Sequence, residues 1–188
     1  MANLKVNGKA VSGLESEGLP PKWFSKNHDT QFGDLPLALD LGYRGTSHKN
    51  CKGIVKGLAN AALLKKRAAS IPGGPILSGE DLANAGPVAL LQDLSVMALL
   101  GITHVERNGH HYFRGLSMHS SATQNAVLEK HVGLYQRHAE GFATLCIEKG
   151  TLDLHSVNAA PFGCGIMLDV TQFEPLNDWI KRGGMGEL

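Results

Sequence analysis

Cysteine is scarce in this chain: Cys51, Cys146 and Cys164 are an odd number with no CxxC pair among them. That argues against a disulfide framework and a cysteine-based zinc site, and it suits a reducing cytoplasm. An excess of either charge is lacking too. With 18 basic and 17 acidic side chains the formal net charge is +1, so there is no electrostatic case for a nucleic-acid or membrane partner. No apolar run approaches the ~20 residues that a spanning helix requires, and the amino terminus lacks the basic start and apolar core of a secretory signal. There is no low-complexity tract. Hydrophobic residues nevertheless make up 43% of the 188, enough for one sizeable core, so a soluble cytoplasmic globular chain is expected.

What the chain does have is the run GYRGTSHKNCKG at 42–53. Before it, Asp34 can cap a short helix with Pro36 in its first turn; Leu35, Leu37, Leu39 and Leu41 give apolar content, and Gly42 ends it. A strand then fits residues 43–47. After the polar group His48, Lys49, Asn50, Cys51 and Lys52, residues 54–69 place Ile54, Val55, Leu58, Ala62 and Leu63 at a helical period. The titratable cluster thus falls at the carboxyl end of a strand, in a βα loop.

Two further units follow the same plan. Ile76 and Leu77 form a short apolar stretch after IPGGP, Glu80 and Asp81 come next, and 87–100 reads as a buried helix ended by Gly101. A third strand fits 102–106 and leads to Arg107, Asn108, Gly109, His110 and His111. Strand, polar tip and helix recur roughly every 25 to 35 residues, the spacing of βαβ units and a parallel sheet. Lys49, Glu80 and Glu106 are thereby brought to one rim.

Three ordered segments, GYRGTSHKNCKG, SGEDLANAGPVALLQDLSVMALLGITHVERNGHHYFRGL and SVNAAPFGCG, carry a family likeness. They resemble the sixth to eighth barrel strands, and the segment after them, of the enolase superfamily in its mandelate racemase and muconate lactonizing branch. The resemblance runs over 29–176. It implies a (β/α) barrel with a capping domain, a magnesium ion (Mg2+), and removal of the proton next to a substrate carboxylate to give a metal-stabilised enediolate. The family's magnesium ligands are acids at the ends of its third, fourth and fifth strands. Asp29, in KNHDTQFGD, matches the last of these.

Length shapes the expected architecture. A complete eightfold barrel takes about 250 residues, and this chain has 188. The expected fold is therefore α/β: a partial (β/α) TIM-type barrel, with strands resembling the fifth to eighth and a small β-rich capping segment. Residues 1–26 would form an amino-terminal hairpin and linker, with strands at 4–6 and 9–11 about the turn Asn7-Gly8. Residues 27–140 would form the half barrel and 141–188 the strands and capping segment after it.

Each candidate residue has two readings. Lys49 is positioned to act as a base, with an amine tuned by desolvation or by the neighbouring cation Lys52, or else it is a solvated loop lysine. His48 either shares the catalytic role or caps the following helix, and which of His48, Lys49 and Lys52 faces inward is open. Glu80 and Asp81 are acid or hydrogen-bonding partners at the rim, or a plain helix cap, the reading that SGED favours. Glu106 contacts substrate by resemblance, or pairs with Arg107 or a rim lysine. Asn108, His110 and His111 form a polar loop able to hold a substrate hydroxyl or carboxylate, although adjacent side chains of an extended segment diverge. His104, Glu106, His110 and His111 match no recurring zinc-ligand spacing.

After the barrel-like region, Ser121 can cap a helix over 122–131, and 142–147 with 151–157 read as two strands of one hairpin. Phe162 and the glycines beside it read as packing and close backbone approach. Two functions remain. One is a magnesium-dependent lyase or isomerase of dehydratase or racemase type acting on a small-molecule carboxylate, such as a sugar acid, with a homo-oligomer expected. The other is a truncated, non-catalytic homologue serving as a binding or assembly module.

Overall fold

The computed structural model describes residues 3–6, 33–81, 84–107 and 113–184. Strand β1 (Asn3–Val6) and helix α1 (Asp34–Asp40) are followed by β2 (Gly45–His48), α2 (Ile54–Arg67), β3 (Ile76–Asp81), α3 (Val88–Leu99) and β4 (His104–Arg107). Helix α4 (Ser121–Lys130), β5 (Tyr135–Arg137), β6 (Ala143–Leu145), β7 (Thr151–Asp153), α5 (His155–Ala159) and α6 (Leu176–Lys181) complete the order.

The chain is mixed α/β. Strands β2, β3 and β4 are parallel neighbours, β1 runs parallel beside β4, and β7 closes the row antiparallel to β1. Local chemistry explains why the helices feed the strands. At the end of α1, Gly42 adopts φ 90°, its N–H donates to Leu39 O at 3.0 Å, and Tyr43 N–H donates to Ala38 O at 2.9 Å. Gly101 ends α3 in the same way, with φ 68° and with Ile102 N–H donating to Met97 O at 3.0 Å. A left-handed residue closed by these paired bonds turns the chain sharply, and only glycine takes it without a Cβ clash.

The register sorts the side chains onto two faces. Thr46 is opposite Leu77, Ser47 opposite Ser78, His48 opposite Gly79, Gly79 opposite Val105 and Glu80 opposite Glu106. Successive strand residues alternate sides, so His48, Gly79 and Val105 share one face while Lys49, Glu80 and Glu106 belong to the other. The first face is covered by helices: a Cβ at Gly79 would stand 2.8 Å from Met97 Sδ of α3, and one at Gly57 of α2 would stand 2.4 Å from His48 Nδ1.

The main core joins Leu90, Leu91, Leu94 and Met97 of α3 to Val105, Val127, Leu134, Leu152, Leu154 and Val157. Burying each leucine contributes about 2 kcal/mol. A smaller cluster of Leu35, Leu64 and Ile71 fixes α1 against α2. Among the described residues no helix is long and apolar enough to cross a membrane.

Several local expectations need correction. Glu80 and Asp81 are the last residues of β3, and α3 begins only at Val88 after Pro87, so the cap reading of SGED fails. Gly33, with Asp34 in the first turn, starts α1, and Ser120 rather than Ser121 caps α4 by accepting from Thr123 N at 3.3 Å. The expected late hairpin is reduced to its turn, closed by one antiparallel bridge between Glu148 and Thr151, while β6 pairs with β5 and β7 pairs with β1. Asp153 explains why the second strand is short, since its carboxylate accepts from His155 N at 2.8 Å and starts α5. Phe162 is half exposed at φ 44° rather than packed, whereas Gly163 does make a close approach, its missing Cβ lying 2.3 Å from Leu91 O. Residues 9–11, the expected partner of β1, lie outside the described residues.

Candidate functional site

Lys49 follows β2 in extended conformation, φ −136° and ψ 124°, so it continues the alternation and its side chain leaves on the face opposite His48. Its Nζ lies 2.5 Å from Glu80 Oε2, with side-chain exposures of 16% and 6%. Exposed ion pairs contribute little, but this one is shielded: removing either partner would strand a buried charge, which costs several kcal/mol. Glu106 is the register partner of Glu80 on β4. Three adjacent parallel strands therefore align Lys49, Glu80 and Glu106 in one row at their carboxyl ends, the edge at which open parallel sheets place ligands.

One row earlier on the same face, Ser47 faces Ser78 across β2 and β3. Ser47 is fully buried and its Oγ has no hydrogen-bond partner. Leaving such a hydroxyl unpaired costs about 1–3 kcal/mol. This side of the three strands is polar, while the other is packed by helices.

His48 belongs to the helix side. Its ring is 2% exposed, lodged against Gly57, and its Nε2 donates to Asn50 Oδ1 at 2.6 Å. Asn50 in turn hydrogen-bonds Asp93 of α3, and Asn84 Nδ2 donates to Asp93 Oδ2. Burial pushes the Asp93 carboxyl up to about 6, while the two amide donors act in the opposite direction. The network His48, Asn50, Asp93, Asn84 thus ties the loop after β2 to the loop after β3. Sequence reasoning missed Asp93, and the signal was there: it is the one charged residue in the apolar run 87–100.

The structure brings Lys49, Glu80 and Glu106 to one face and sends His48 to the other. Lys52 is exposed at the end of a 3-10 turn, Asn50–Lys52. Asp29, Asn108, His110 and His111 lie outside the described residues. Among the described residues no group of three His, Cys, Asp or Glu side chains is arranged to hold a metal ion. Glu80 and Glu106 do not by themselves make a magnesium site.

A surface groove of about 610 Å³ lies elsewhere, between the end of α4 and α5, where Lys130, Asp153, His155 and Ser156 line it. Its charged groups are exposed and Asp153 is already engaged in starting α5, so it lacks the buried charge of the strand-end row.

A scan against protein-family models found no match to this chain, and searches of curated proteins and of solved structures found none either.

Proposed function

We propose that the chain is a partial (β/α) barrel of the enolase-superfamily type, acting as a lyase or isomerase on a small-molecule carboxylate. The observation that supports this reading is the shielded Lys49–Glu80 pair, 2.5 Å apart at the carboxyl ends of parallel strands, with Glu106 in the same row. In the reaction the neutral-amine form of Lys49 becomes an ammonium held by Glu80 as it receives a proton. That proton comes from the carbon next to the substrate carboxylate, and Glu106 is the acid–base partner on the same face. Asp29, together with a second copy of the chain, is assigned to magnesium, which would polarise the substrate carboxylate when bound.

The test is exchange of the α-proton of a library of carboxylates, sugar acids included, in heavy water with magnesium. Exchange of at least one acid is expected; absence of exchange with every acid would overturn the reading. The runner-up, a non-catalytic binding or assembly module, draws on one observation: Lys49 is held in a buried ion pair. It predicts acids that raise the melting temperature without exchanging a proton.

A further inference from the structure

We infer that Asp93 is the positioning residue for Lys49: from the helix side of the sheet, one buried carboxylate holds the residues on either side of Lys49 and also the loop that follows Glu80. The inference rests on the reading of Lys49 as the acting group, and it goes beyond that reading to what aims the group.

The geometry runs through side chains of known placement. His48 and Asn50, the two neighbours of Lys49 in sequence, are joined by the 2.6 Å bond from His48 Nε2 to Asn50 Oδ1. Asn50 still has its amide N–H groups to give, and Asp93 receives from them. The His48 ring cannot retreat toward α2, since Gly57 already stands against it with no room for a Cβ. With both neighbours held on the helix side, the extended backbone of Lys49 has one direction left for its side chain, and Glu80 waits there. Asn84, four residues beyond Glu80, donates to the same carboxylate, so the two loops are braced against one atom group on the rigid helix α3. Facing Asp93 are Asn50 from the loop after β2, with His48 behind it, and Asn84 from the loop after β3.

A carboxylate buried to 7% exposure in an apolar helix is an expensive brace. A purely packing role would be filled better by leucine. An anion, however, accepts from two loops at once, and hydrogen bonds to charged acceptors are roughly twice as strong as neutral ones.

The experiment uses the full chain labelled with nitrogen-15. The Asn50 side-chain amide, the Lys49 backbone amide and the exchange of the Lys49 ammonium protons are followed by NMR from pH 5 to pH 7.5. The expected result is that both amide signals move with one midpoint near 6, the value at which Asp93 takes up its proton. In Asp93→Asn both should be flat, and the Lys49 ammonium protons should exchange with water about tenfold faster, as loss of a hydrogen bond to a charged group allows. A Lys49 signal that stays still while Asn50 titrates, or an unchanged exchange rate in the variant, would overturn the inference. If Asp93→Asn fails to fold, the wild-type titration decides alone. None of these readouts needs turnover, so a failure here is distinct from absence of substrate exchange.

Discussion

The strand-end rim and the segment 113–184 bury polar groups in opposite ways. At the rim the buried groups include ionisable ones: Lys49 with Glu80, and Asp93 between two amides. In the later segment the buried polar groups are neutral. Gln124 is 8% exposed, its Oε1 accepts from Ala143 N at 2.8 Å and its Nε2 donates to His119 O at 2.9 Å, fastening α4 to β6. His131 is fully buried, accepts from Gly165 N–H at 3.0 Å, and is pushed by burial toward its neutral form. Charges in that segment stay at the surface, as in the Arg114–Glu140 pair at 67% and 58% exposure. Fastening loops to helices therefore does not require buried charge in this molecule. The rim carries it where a packing account would use amides, which is why the chemistry is assigned there.

The largest effect expected from breaking this contrast is at Lys49. Lys49→Met leaves Glu80 buried without its cation and should destabilise the chain by about 4 kcal/mol, whereas Lys49→Met with Glu80→Leu should recover most of that loss. Chemical denaturation of the two variants measures the difference. Equal stability of the single and double variants would show the pair to be solvated.

The next effect concerns pH. Folding raises the Asp93 carboxyl from 3.8 to about 6, so it favours the folded state fully below 3.8, and that benefit is lost as pH rises through 6. His131 has the opposite sign: its depressed value favours the folded state above 6.5, and the benefit fades as pH falls. Asp93→Asn should therefore gain stability relative to wild type by about 1.5 kcal/mol more at pH 7.5 than at pH 5. His131→Gln should shift the balance the other way, losing ground to wild type as pH rises. Melting curves at the two pH values check both signs, and a pH-independent difference for Asp93→Asn would contradict the placement of its carboxyl.

The smallest effect lies outside the contrast. Gly42→Val forces a β-branched side chain to φ 90° and should cost about 1–2 kcal/mol, read as a lower melting temperature.

Much of this arrangement was legible in the sequence, for physical reasons. Gly42 and Gly101 announce the helix ends because no other residue takes their φ cheaply; the helix over 54–67 forms, but not on the face its apolar period named, since Val55 and Leu58 are exposed while Lys56, Gly57, Asn60 and Leu64 are buried. The recurrence of strand and helix was enough to bring Lys49, Glu80 and Glu106 to one rim. Alternation parts His48 from Lys49, but it could not say which of the two turns toward the helices, since that is decided by Gly57 of α2 standing against the His48 ring. Asp93 was hidden because its partners Asn50 and Asn84 sit on other loops, and periodicity reports only neighbours along a helix. The late hairpin stops at its turn for the same reason: β7 finds its partner in β1, some 150 residues away in sequence.

The most direct test of the assignment compares α-proton exchange in Lys49→Ala with that in Lys130→Ala, whose side chain lines the groove beside α5. The account predicts that exchange is abolished in Lys49→Ala and unchanged in Lys130→Ala. Exchange that survives in Lys49→Ala, or that is lost in Lys130→Ala instead, would contradict it.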